Sequence, residues 1–219
     1  MTQPITPLPR RLVVAGTDTD VGKTLVSALL VQGLGAHYWK PVQCGGLELG
    51  GDRQTVAELS GCPPERLLPN AYALEQPASP NQAADAEGIS IDANQLELPP
   101  MPGALVVETA GGLLVPFSKK LLQIDMICQW QLPVLLVARS GLGTLNHSLL
   151  SLEAMHHRGI TVLGLVLNGP EHPNNLKTLE EISGCHVLAC LPILPSCKVG
   201  SLKNAWYTCG FNRHWQANC

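Results

Sequence analysis

An α/β fold, three layers with a mainly parallel β-sheet flanked by helices, is what this sequence predicts. Three observations predict it. Short uninterrupted apolar runs recur along the chain, stretches of helical character separate them, and a Gly-containing loop joins the first run to the first helix. Runs that are apolar without alternation read as strands buried on both faces, the situation of a parallel sheet covered on each side. Strand and helix alternate over the whole length, as a sheet built from crossover connections requires.

The elements follow in order. Leu12-Val-Val-Ala15 is the first strand, closed by Gly16, and a second strand region ends at Trp39-Lys40-Pro41-Val42. Residues 104–107, 134–138, 162–167 and 186–191 repeat the apolar pattern. Helices are expected at 23–34, 52–60, 120–130, 146–158 and 174–183. Leu145, Leu149, Leu150, Leu152 and Met155 form an apolar stripe of the kind that packs a helix on a sheet. Residues 74–102 are rich in Pro, Ala, Asn and Asp and read as a long loop over one domain spanning residues 1–219. Residues 196–219 carry no clear helical stripe and have no account at this level.

Composition narrows the function. Of 219 residues, 45% are hydrophobic and 14% charged, which excludes a long disordered acidic or basic chain. A net charge of −3 leaves no basic footprint for nucleic acid. No apolar run reaches the roughly 18–20 residues of a membrane span. Prolines within the first eleven residues interrupt the apolar core that a signal peptide needs, so a soluble, cytoplasmic protein is expected. The eight cysteines show no C-x-x-C and no zinc spacing, and read as reduced, mostly buried thiols.

The chemistry is concentrated at the end of the first strand. Gly16-Thr-Asp-Thr-Asp-Val-Gly22-Lys23-Thr24 stands between that strand and a helix. Phosphate binding needs this order, because backbone N–H groups and the helix dipole converge on the anion. Lys23 can reach the outer phosphates and Thr24 can bind Mg²⁺ through its hydroxyl. The usual spacing puts a glycine where Thr17 stands, with Gly16 one residue early.

These residues resemble the signature of the dethiobiotin synthetases, a family of the P-loop NTPase fold. So do Trp39-Lys40-Pro41-Val42, Glu108-Thr-Ala-Gly-Gly112, Gly141-Leu-Gly-Thr-Leu-Asn-His147 and Val166-Leu-Asn168, in family order from about residue 12 to 194. Partition and division-site ATPases carry a second lysine early in the loop, where this chain has Asp18. The resemblance implies ring closure of 7,8-diaminopelargonate with CO₂ and MgATP, in a homodimer, through a carbamate and a carbamic–phosphoric anhydride. It implies Lys40 and Lys23 as catalytic cations and Thr24, Asp52 and Glu108 as Mg²⁺ ligands. It implies nucleotide contacts at Asp20, Val21, Gly22, Lys23, Thr24, Leu25, Asp52, Glu108, Thr109, Ala110, Gly111, Asn168, Gly169, Pro192, Ile193 and Leu194. Substrate contacts fall at Thr19, Lys40, Cys44, Gly143, Thr144 and Asn146, the last three across the dimer interface. Several of these residues have plainer readings. Asp52 suits a helix N-cap, the loop of Gly143, Thr144 and Asn146 suits the N-cap of a helix starting near Asn146, Cys44 suits a small apolar site, and Asn168 suits a strand-ending turn. A corrinoid-type amidating synthase and a nucleotide-switched P-loop module are the alternative functions.

Overall fold

The computed structural model describes residues 7–215. The six residues before Pro7 and the four from Gln216, Cys219 among them, lie outside the described residues, and with them part of the N-terminal segment read for a signal peptide.

The first half of the chain runs β1 (Arg11–Gly16), α1 (Lys23–Leu34), β2 (His37–Trp39), β3 (Val42–Cys44), α2 (Gly51–Ser60), β4 (Tyr72–Leu74), α3 (Pro80–Ala86) and β5 (Leu105–Gly112). The second half runs β6 (Pro116–Ser118), β7 (Leu121–Leu122), α4 (Gln123–Trp130), β8 (Val134–Arg139), α5 (Thr144–His156), β9 (Val162–Asn168), α6 (Pro173–Ser183), β10 (Val187–Leu191), α7 (Val199–Thr208) and α8 (Asn212–Trp215). Six strands form one parallel sheet in the order β10-β9-β8-β1-β5-β2. The chain therefore begins at the centre of the sheet and winds outward both ways.

Adjacent residues of each strand feed opposite layers. Val13, Ala15, Leu105, Val107, Leu136, Ala138, Leu165 and Leu167 pack into one core with Ile124, Met126 and Ile127 of α4, Met155 of α5 and Leu179 of α6. Leu12, Val14, Val106, Leu135, Val137 and Val166 pack into the other with Val26, Leu29 and Leu30 of α1 and Val56 of α2. Polar positions are absent from the strand centres because neither face meets water.

Register positions the chemistry. Val14 of β1 lies opposite Glu108 of β5, and Trp39 of β2 lies opposite Val107. The residue after Trp39 is thereby brought level with Glu108 at the carboxyl edge of the sheet, where open parallel sheets bind ligands.

Three expectations are corrected. Residues 74–102 are not a bare loop: Pro80 starts α3 and a 3₁₀ turn covers Ala93–Leu96. Ala83, Ala84, Ile91 and Leu96 are buried, and Trp130 donates its indole N–H to the Leu96 carbonyl at 2.7 Å. Leu150 breaks the stripe of α5, being 56% exposed, whereas Leu152 and Met155 are buried. The cysteines are mostly half-buried and Cys197 is exposed; all seven described are free thiols.

The tail is also corrected. It forms α7 and α8, and Trp206, Phe211 and Trp215 stack with ring centroids 6.0–6.5 Å apart beneath α1. The stripe is short, Leu202, Ala205 and Trp206, so aromatic burial after it carries the docking. A glycine in the last turn of α1 accommodates this packing: a Cβ on Gly33 would overlap the Trp206 indole. In an open helix Gly→Ala stabilises by about 1 kcal/mol. Here overpacking outweighs that gain, and Gly33→Ala is expected to lose about 1–3 kcal/mol in a denaturant titration.

Candidate active site

The loop between β1 and α1 is held from several sides. Asp20 and Gly22 take left-handed conformations, with φ of 53° and 97°. A Cβ on Gly22 would collide with the Asn168 amide, whose Nδ2 donates to the Val21 carbonyl at 3.0 Å. Asn168 thus braces the loop from the end of β9. Gly16 is needed for another reason: a Cβ there would stand 2.8–2.9 Å from the end of the Lys23 side chain. Lys23 folds back over the loop and donates to the Asp18 carbonyl at 2.7 Å.

Beside it lies a buried charge network. Glu108 is 1% exposed. Its Oε1 accepts from Thr24 Oγ1 at 2.8 Å and from Lys40 Nζ at 3.2 Å; its Oε2 accepts from Tyr38 at 3.0 Å. Lys40 also pairs with Asp52 in the first turn of α2. The Asp52 N–H in turn donates to Gln43 Oε1 at 3.2 Å, and Gln43 Nε2 donates to the Gly45 carbonyl at 3.0 Å. Asn70 holds the Lys40 carbonyl at 2.7 Å.

The two lysines differ in charge affinity. Burial alone would lower the Lys40 pKa, but Glu108 and Asp52 outweigh it and hold the ammonium above its ordinary range. Burial pushes Lys23 down to about 8, with Glu108 opposing and Lys40 adding to the shift. An arriving phosphate needs the charged form of Lys23. Affinity for ADP without metal is expected to fall about tenfold per pH unit above a pH of about 8, because the proton must be restored on binding. Calorimetry on the protein and on Lys23→Met checks this; the variant should lose the slope.

These groups share one cavity of about 800 Å³, lined by Thr19, Asp20, Gly22, Lys23, Thr24, Lys40, Gln43, Cys44, Asp52, Glu108, Ala110 and Gly111 and rimmed by Pro77–Pro80. The Cys44 thiol is pushed up to about 11 by burial, against the pull of Lys40, so it is an uncharged lining group. Thr109 does not line the cavity: it is 2% exposed and turns its hydroxyl toward the Val14 carbonyl. Val21 is buried, and Leu25 packs into the α1 core. Gly169, Pro192, Ile193 and Leu194 gather with Asn168 at the ends of β9 and β10, where Leu191 lies opposite Asn168. Pro192 and Ile193 are exposed. Gly143, Thr144 and Asn146 stand apart from the cavity of their own chain, at the start of α5. The Thr144 N–H donates to the Gly141 carbonyl at 3.2 Å and its hydroxyl bonds with that of Ser148 at 3.3 Å.

Sequence reasoning passed over Tyr38, Gln43, Asn70, Arg139 and the rim at Pro77–Pro80. Arg139 reaches Asp18 and the Thr19 carbonyl at 3.4 Å. None of these carries a motif; only the fold brings them to the loop.

The donor set fits a small hard cation. Thr24, Asp52 and Glu108 present only oxygen, and the Lys40 ammonium already bridges both carboxylates. No cluster of three or more His, Cys, Asp or Glu side chains occurs among the described residues. Two carboxylates and a hydroxyl suit Mg²⁺, which keeps waters and takes its remaining oxygens from phosphate.

A central parallel sheet with a phosphate loop at its first strand, a lysine at the following helix start and an acidic partner on the neighbouring strand define a P-loop nucleotide-binding protein. A family model described as an AAA domain matches residues 10–199. The ParA family ATPase of Chlorobium tepidum has the same fold, with a TM-score of 0.52 at 11% identity over 89% of this chain and 96% of that one. Sequence similarity is much higher to the ATP-dependent dethiobiotin synthetases of Agrobacterium fabrum, 49% identical over 90% of this chain and 92% of the relative, and of Rhodopseudomonas palustris, 46% identical over 93% and 96%. The chain belongs to the dethiobiotin synthetase family.

Proposed function

We propose that this chain is an ATP- and Mg²⁺-dependent dethiobiotin synthase, a ligase that closes the ureido ring of 7,8-diaminopelargonate with CO₂. One observation carries the reading beyond family membership: two ammonium groups and two carboxylates converge in the cavity beside the phosphate loop. In the reaction one substrate amine bonds to CO₂, giving a carbamate and a proton. A carbamate oxygen takes the γ-phosphoryl group of ATP and ADP leaves. The second amine then bonds to the carbonyl carbon, and phosphate departs with the C–O bond.

Two anions must meet before the phosphoryl group moves, so the site's task is charge stabilisation arranged in advance. Lys23 neutralises the outer phosphates. Lys40, kept charged by Glu108 and Asp52, cannot serve as a base near neutral pH; it clamps the carbamate against the γ-phosphate. Mg²⁺, held by Thr24, Asp52 and Glu108, would supply further charge neutralisation on the phosphates. Asp20, Gly22, Ala110 and Gly111 line the nucleotide's path, with Gly169 and Pro192–Leu194 toward the base. Thr19 and Cys44 face the diamine. The whole described chain acts as one domain, and no helix among the described residues is long and apolar enough to cross a membrane. A biosynthetic role in the cytoplasm accords with this.

A homodimer completes the reading. Leu142 is fully exposed, Leu150 is 56% exposed and Leu114 is 53% exposed, beside the loop of Gly143 and Asn146. That loop would grip the substrate carboxylate from the partner's side. Lys40→Ala and Asn146→Ala should each be nearly inactive. Mixed and exchanged, about half the dimers pair unlike chains and carry one intact site, so roughly a quarter of the activity returns. No recovery after proven exchange would mean that each chain builds its site alone.

The direct test of the function is ADP release with single components omitted. Release should require diaminopelargonate, bicarbonate as the CO₂ source and Mg²⁺ together, stop with EDTA and resume on adding Mg²⁺. ADP release indifferent to the diamine would favour the nucleotide-switched alternative.

A further inference from the structure

We propose that Tyr38 is a positioning residue of this site: its sealed phenol fixes which oxygen of Glu108 faces the cavity. The inference rests on the reading of Glu108 as a metal ligand. Tyr38 lies in β2 opposite Val106 of β5 and is 0% exposed. Its hydroxyl donates to Glu108 Oε2 at 3.0 Å, and no other hydrogen-bond partner of that hydroxyl occurs among the described residues. The other oxygen, Oε1, takes both Thr24 and Lys40.

Phenylalanine would fill the same space at a strand centre surrounded by apolar side chains, so the oxygen is not there for packing. Turning the Glu108 carboxylate would strip the phenol of its acceptor where water does not reach, and a buried hydroxyl left without a partner is costly. The phenol therefore locks the carboxylate rotation. Oε2 is occupied inside the protein, and Oε1 alone is offered to whatever binds beside Thr24. Burial, with Glu108 and Asp52 adding to it, holds the phenol well above its ordinary pKa, so it stays a donor throughout the working range.

Tyr38→Phe tests the inference through ADP binding measured calorimetrically with and without Mg²⁺. Wild type should gain affinity when Mg²⁺ is added; no gain in wild type would defeat the metal-ligand reading itself. In Tyr38→Phe that gain should shrink about tenfold, as loss of an outer partner of a ligand typically does, while metal-free ADP affinity stays at the wild-type value. A lower melting temperature with an unchanged Mg²⁺ increment would mean a merely structural tyrosine and would overturn the proposal. A second measurement needs no folded variant at this position. The chain has three tyrosines, so ¹³Cζ-tyrosine labelling of wild type, with Tyr72→Phe and Tyr207→Phe for assignment, isolates the Tyr38 signal. It should move on adding Mg²⁺ to the ADP complex; a stationary signal overturns the proposal.

Discussion

Lys40→Met is expected to lower kcat by about a thousandfold, the scale that follows when a single preorganised charge is removed from a developing anion. The effect has a second part. Lys40 lies between Glu108 and Asp52, and Glu108 is sealed from solvent. Removing the cation leaves a buried carboxylate uncompensated, which costs about 3–5 kcal/mol of stability. The raised pKa has the same sign: the stability contributed by the Lys40 charge is fully present below the ordinary lysine pKa and is lost as pH rises through the folded value. Lys40→Arg separates the two parts. The guanidinium keeps the charge but spreads it over a planar fork that cannot occupy the same point. Stability should return in the arginine variant while turnover stays low, as read by thermal denaturation and steady-state rates.

Lys23→Met is also expected to lower kcat/KM by about a hundredfold to a thousandfold, as removal of a cation that neutralises phosphate charge in the transition state would. Its effect on stability has the opposite sign. Burial depresses the Lys23 pKa to about 8, so carrying the charge disfavours the folded state below that pH. The penalty disappears as pH rises from about 8 toward the unfolded value of 10.5. The variant should therefore melt at or above the wild-type temperature at pH 7. Site strain of this kind is retained for function and relaxed by mutations that destroy it. A variant that lost both turnover and stability would mean that Lys23 is a structural group.

Much of this was legible in the sequence, for physical reasons that differ by element. The central strands could be read because a strand covered on both faces has no polar positions, as in residues 134–138. The phosphate loop could be read because the anion requires glycine, lysine and hydroxyl in a fixed order. Glu108 is 68 residues from Lys40 and Asp52 is 12 residues beyond Lys40 across a Gly-rich gap, and only the family resemblance joined the three. The strand register then accounts for their meeting, with Val14 opposite Glu108 and Trp39 opposite Val107. Tyr38 was invisible because a tyrosine in an apolar strand looks like core; its hydroxyl gains meaning only from the carboxylate on the next strand. Residues 196–215 misled for a related cause. Their docking depends on Trp206 meeting Gly33 and on Phe211 and Trp215 packing against Trp206, a long-range fit without periodicity. Thr109 and Thr144 could be placed from their motifs, but the bonds of their hydroxyls to the Val14 carbonyl and to Ser148 could not be read there.

The central claim is that the cavity joins CO₂ to a diamine at the expense of ATP. Supply ¹³C-bicarbonate, ATP, Mg²⁺ and 7,8-diaminopelargonate, and follow the product by mass spectrometry alongside ADP. The account predicts one labelled carbonyl carbon in dethiobiotin for each ADP formed, and neither product from Lys40→Met beyond a trace. ADP without labelled dethiobiotin, or labelled product independent of ATP, would contradict it.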